Sequence, residues 1–152
     1  MQKFHLAWDD SRHTLGIASI DSQHRGLMDM INALAEAVAH DCDCEQARRH
    51  MANIICDCKQ ARRHMANIIR FTEEHFAHEE DLMRRHDFPN REKHAAEHKE
   101  VLRQAVTMME AIKPDDIGRA VLVTAFLTDC AENHILREDK ALALYLLGKG
   151  LS

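Results

Sequence analysis

The chain is poor in the residues that break helices or favour sheets, with five Gly, two Pro and aromatics at only 5% of 152 residues. Ala, Leu, Ile and Met supply most of the apolar content, which weighs against a β-rich scaffold and predicts an all-α fold. No apolar run reaches the length of a membrane span, and MQKFHLAWDDSRHTLG lacks the apolar core and small-residue cleavage site of a secretory leader. A cytoplasmic protein with no membrane partner is the expectation. No basic stripe interleaved with aromatics is present, and the net charge of −5 is spread among mixed acids and bases, so no nucleic-acid partner is expected. Cysteine is odd in number at five, and four of the five form two Cys-Asp-Cys triplets, Cys42/Cys44 and Cys56/Cys58. That pattern is not a disulfide framework and points to reduced thiols. The length suits one domain spanning 1–152.

Residues 1–18 read as an arm, because Phe4, Leu6, Trp8, Leu15 and Ile17 show no helical period. The arm is expected to cross the outside of the fold. From Asp21 the stripe Leu27, Met30, Ile31, Leu34, Ala35, Val38 predicts a helix to about His40. A second helix runs through Met65, Ile68, Ile69, Phe71, Phe76 and Met83 and stops before Phe88-Pro89-Asn90. A third opens at Asn90 as N-cap and continues to about Ile112, and a fourth starts near Asp115 after Pro114 and reaches His134, with Gly148 and Gly150 ending the ordered chain. Four helices with short connections predict an antiparallel up-down-up-down bundle, an architecture that houses metals between facing helices.

An internal repeat stands out. CDCEQARRHMANII at 42–55 recurs at 56–69 as CDCKQARRHMANII, differing only at Glu45 and Lys59. Fourteen residues add about 21 Å of helix with a phase slip of roughly 40°. An antiparallel partner for the first helix needs the second to begin in earnest near Lys59. The second copy is therefore expected to pack, with the first as a helical extension or an excursion. A lengthened hairpin of this kind also invites a domain-swapped dimer as the alternative to a monomer.

Seven side chains carry the chemistry: His24; His75 and Glu79; His94 and His98; His134 and Asp139. The two middle pairs are spaced i,i+4, which stacks each pair on one helix face. Taken singly, such a pair is more often a solvated face than a ligand pair, but four elements in bundle-compatible order reverse that judgement. Five imidazoles and two carboxylates match what two carboxylate-bridged iron ions require, with one ion fully supplied and the other left with an open position. His134 and Asp139, spaced i,i+5, sit about 140° apart on a regular helix, so both reach one centre only if the helix bulges or breaks at 135–138.

The stretches HLAWDD, IDSQHRGLMDMINAL, RFTEEHFAHEEDLM, HAAEHKEVL and NHILREDKAL span nearly the whole chain apart from the repeat, and with them the sequence resembles a hemerythrin, specifically a single-domain bacteriohemerythrin. The resemblance implies that His94, His98 and His134 hold one iron, that His24 and His75 hold the other, and that Glu79 and Asp139 bridge the pair with an oxo or hydroxo group. It implies reversible binding of dioxygen at the two-histidine iron, for storage, transport or delivery. Family members commonly carry a Trp four residues before the last histidine, with a Leu beside it; this chain has Cys130 and Ala131 there. With Phe76, these are the expected residues of the dioxygen pocket, and their small size predicts a roomier pocket and faster autoxidation.

Two other functions compete: a dioxygen or redox sensor working through the arm, and a di-iron peroxidase or oxidase. No general acid or base is evident beside the open position, so catalytic residues are not assigned and the protein is not read as an enzyme. A four-thiolate zinc or iron–sulfur site from the Cys-Asp-Cys triplets converges poorly, and exposed thiols are the plainer reading. His50 and His64 follow Arg-Arg and are expected in solvent; His78 is a candidate to back a ligand; His5, His13, His40 and His86 have no partner pattern; the methionines read as core.

Overall fold

A computed structural model describes residues 5–50, 59–113 and 116–152. Those residues form α1 (Asp10–His13), α2 (Ala18–His50), α3 (Lys59–Arg85), α4 (Arg91–Glu110), α5 (Ile117–His134), a π-helical turn (Ile135–Asp139) and α6 (Lys140–Gly148). The four long helices pack in a ring, α2 on α3, α3 on α4, α4 on α5 and α5 back on α2. Val38, Ala61, Ile112 and Ala120 share one apolar cluster, and Arg62 Nη1 donates to the Ile112 carbonyl at 3.2 Å. Arg62 lies in the first turn of α3 and Ile112 just past the end of α4, so the start of one meets the end of the other.

α2 continues to His50, ten residues beyond its expected end, because the first repeat copy offers no Gly or Pro to stop it. α3 starts at Lys59, and Ala61, Met65, Ile68 and Ile69 of the second copy are buried. The second copy thus occupies the packed register. Residues 51–58 and the thiols of Cys42, Cys44, Cys56 and Cys58 lie outside the described residues, so the four-thiolate alternative is not addressed by the structure.

Of the arm, Phe4 lies outside the described residues; Leu6, Leu15 and Ile17 are buried in the two apolar clusters, while most of the residues between them are exposed. Asn32 clasps Leu6 at both backbone groups, accepting from its N–H at 2.8 Å and donating to its carbonyl at 3.0 Å. Asp9 caps the single turn of α1. Gly16 turns the chain with φ +89°, and the N–H groups of Leu15 and Gly16 donate to the Asp21 carboxylate in the first turn of α2.

Asn90 stands at the start of α4 as expected, but its side chain makes no capping bond. At α5 the cap is Asp116, whose Oδ1 accepts from the Arg119 N–H at 3.0 Å. Two apolar clusters fill the bundle. One runs from Leu27, Met28 and Ile31 through Met65 and Ile68 to Ile135; the other gathers Ile20, Met83, Phe88, Leu142 and Leu146 at the opposite end. His24, Glu79 and Asp139 fall between them in sequence and in space. Met28, Met65 and Met83 are core residues as read; the side chain of Met51 lies outside the description.

Candidate metal centre

α2 brings His24, α3 the pair His75 and Glu79, α4 the pair His94 and His98, α5 His134, and the π-helical turn Asp139. Over Ile135–Asp139 the widened turn carries the i,i+5 pair His134 and Asp139 to the same side. Asp139 and His24 are fully buried and 3.0 Å apart, Oδ2 to Nε2. The other Asp139 oxygen lies 3.2 Å from His94 Nε2 and 3.1 Å from His134 Nε2. Glu79 divides its oxygens in the same manner, Oε1 toward His75 Nε2 at 3.7 Å and Oε2 toward His98 Nε2 at 3.3 Å. Each carboxylate therefore shows one oxygen to a three-histidine set and the other to a two-histidine set.

Ligand atoms of Glu79, His94, His98, His134 and Asp139 all lie within 4.8 Å of one another, and so do those of His24, His75, Glu79 and Asp139. All seven expected residues are brought together. Their polar atoms are poorly served by the protein alone: both oxygens of Glu79 and of Asp139, and both nitrogens of His24, are buried without an aligned hydrogen bond. Such groups cost roughly 1–3 kcal/mol each unless something else satisfies them. Nε2 of His134 also faces Nε2 of His94 at 3.2 Å and of His98 at 3.1 Å. One proton can serve only one of those contacts, whereas ligands about 2.1 Å from an octahedral cation stand roughly 3.0 Å apart. The donor set fits cations.

Electrostatics agree. Burial, then the neighbouring His24, drives His75 down to about 3; burial, then His134 and His94, drives His98 down to about 2. Both imidazoles are neutral at ordinary pH, the form that binds metals. Burial beside Asp139 pushes the Glu79 carboxyl well above the usual carboxylate range. Burial works against the Asp139 charge too, but the surrounding imidazoles, His134 first, outweigh it and hold that carboxyl well below the usual range.

Two residues that sequence reasoning missed stand behind the histidines. Gln23 Oε1 is 3.0 Å from His75 Nδ1, and Glu80 Oε1 is 3.1 Å from His98 Nδ1. Their only signal was position, since each precedes or follows a ligand in sequence. His78 does not back a ligand: its Nε2 lies 3.0 Å from Ser19 Oγ. His64 is half-buried rather than solvated, and His13 is buried, accepting at Nδ1 from the Asp9 N–H at 2.9 Å.

Beside the cluster is a cavity of about 40 Å³, lined by His75, His134 and Asp139 together with Leu27, Ile31, Ile68, Leu102 and the three expected pocket residues Phe76, Cys130 and Ala131. Phe76 stacks on His98 with ring centroids 3.7 Å apart. Burial, then Asp129, raises the Cys130 thiol, which stays protonated.

The helical bundle encloses a buried histidine–carboxylate cluster whose ligand atoms could hold metal ions. Residues 15–146 match the family model described as the hemerythrin HHE cation binding domain, and the chain belongs to that family. A search of curated proteins finds no match. Among the described residues no helix is long and apolar enough to cross a membrane.

Proposed function

We propose that the protein binds dioxygen reversibly at a pair of iron ions, as a carrier or store. His94, His98 and His134 would hold one ion and His24 and His75 the other, with Glu79 and Asp139 shared between the two positions. The carrying observation is the division of each carboxylate between the two histidine sets. Five ligand atoms surround one position and four the other, so the second would be the one with room for a further ligand. Bridging carboxylates with imidazoles favour iron or manganese over softer choices. A pair of iron ions so held supplies two electrons for reversible capture of dioxygen.

The chain's own part is to keep that chemistry reversible. Leu27, Ile31, Ile68 and Leu102 make the cavity apolar, which excludes the water and protons that drive irreversible oxidation. Phe76 braces His98. The neutral Cys130 thiol offers no strong nucleophile. A second reading, an oxidase or peroxidase, draws on the small Cys130 and Ala131 at the cavity wall.

Optical spectra of the reduced iron protein before air, in air and under vacuum separate these. A charge-transfer band that appears with air and vanishes under vacuum supports a carrier. Rapid one-way conversion to the oxidised form supports the oxidase, and no change with air sinks both.

A further inference from the structure

An imidazole that aims Nε2 at a metal turns Nδ1 outward, and the group behind Nδ1 sets the ring's tautomer, orientation and donor strength. Among the five histidines, His24 and His94 keep Nδ1 buried without a hydrogen-bond partner. His75 and His98 are backed, and by different chemistry: His75 by the neutral amide of Gln23 at 3.0 Å, His98 by the carboxylate of Glu80 at 3.1 Å. Because an amide or carboxylate oxygen can only accept here, both Nδ1 atoms carry the proton and both Nε2 atoms present a lone pair to the cluster.

The backing residues also differ in setting. Gln23 is half-buried on α2. The Glu80 side chain is 40% exposed and stands in the wall of a groove between α3 and α4, with Arg84, Arg91 and Lys99 around it. Glu80 thus faces solvent with part of its side chain while its oxygen reaches a buried imidazole. Its charge is passed inward through the N–H bond rather than through the protein interior, and electron density gained at Nδ1 strengthens Nε2 as a donor.

We propose that Glu80 and Gln23 are positioning residues that make the two metal positions unequal, Glu80 strengthening the three-histidine position and Gln23 only orienting the two-histidine one. This rests on the two-metal reading above. The five-ligand group already outnumbers the four-ligand group, and Glu80 widens that difference.

The test uses full-length protein stripped by chelator and titrated with Co²⁺, followed by its visible d–d absorption. Wild type takes two ions per chain in two resolved steps. Glu80→Ala raises the dissociation constant of the tighter step roughly 10- to 100-fold and changes its band shape. Glu80→Gln, which keeps an oxygen acceptor without the charge, falls between. Gln23→Glu tightens the weaker step and narrows the gap. Thermal melts of the metal-free forms stay together, because Glu80 contributes to the ligand rather than to the core; if Glu80→Ala does not fold, Glu80→Gln decides. Two equal steps in wild type, or wild-type dissociation constants in both Glu80 variants, overturn the proposal and leave the metal reading standing. A wild-type protein that takes up no cobalt removes both.

Discussion

Cys130 occupies the cavity wall where a larger side chain would narrow the space beside His134 and Asp139. Trp is far too large for a cavity of about 40 Å³ without some displacement, so Cys130→Trp is expected to cost about 1–3 kcal/mol through overpacking. The same bulk excludes water, and the oxygenated form of the variant should outlive that of wild type, as followed by the decay of its absorption in air. Equal lifetimes would show that the small wall residue is irrelevant to autoxidation. At this scale the ligands themselves were legible, because i,i+4 spacing of His and Glu forces a shared helix face whatever the rest of the chain does. Gln23 and Glu80 were not, since a polar residue next to a ligand looks the same whether it backs an imidazole or faces water. The distinction lies in which neighbouring helix its rotamer meets.

Helix ends offer a sharper contrast between sequence expectation and structure. Asn90 and Asp116 both precede helices, but only the Asp116 side chain caps, accepting from the Arg119 N–H and pairing with the Arg119 side chain at 3.0 Å. Asp116→Ala is expected to lower stability by about 0.5–2 kcal/mol, whereas Asn90→Ala should be close to neutral. Thermal melts of the two variants side by side check this, and equal losses would contradict it. The i,i+5 spacing of His134 and Asp139 requires a bulge or a break between them, and the π-helical turn at Ile135–Asp139 supplies it. Its form was not set by that spacing, because a bulge and a helix end both satisfy it, and the choice is made by α6, whose Leu142, Ala143 and Leu146 must still reach the core.

For the whole molecule, the repeat and the buried cluster set the behaviour. Since the second repeat copy supplies the packed residues Ala61, Met65 and Ile68, deleting residues 42–55 is expected to leave metal content and optical spectrum unchanged. A loss of metal on deletion would show that the first copy matters to the cage. Gel filtration of the two forms tests the domain-swapped dimer, which the shortened hairpin should not support. Acid acts through the histidines. His75 and His98 are held at about 3 and about 2 in the fold, below their ordinary value near 6.5, so between those limits the unfolded chain binds more protons. Stability from these two is complete above about pH 6.5 and falls as pH drops toward 3. Glu79, pushed up by burial, opposes this only in part, with one proton against two. His134 is also raised, Asp139 outweighing the effect of burial, and so acts only above its ordinary value. Bound cations replace the Glu79 proton and remove even that opposition. Metal retention and helical signal followed from pH 7 to 4 should fall together, and a flat profile would refute the linkage.

The sequence by itself determined the helical class, the shared faces of His75 with Glu79 and of His94 with His98, and the need for a distorted turn if His134 and Asp139 are to meet, because each follows from composition or from spacing along a single helix. Only the tertiary structure decided that Asn32 holds the backbone of Leu6 and that Gln23 and Glu80 stand behind His75 and His98. Those features are set by contacts between segments far apart in the chain, where a side chain's role depends on what faces it across the bundle, and no local period records that.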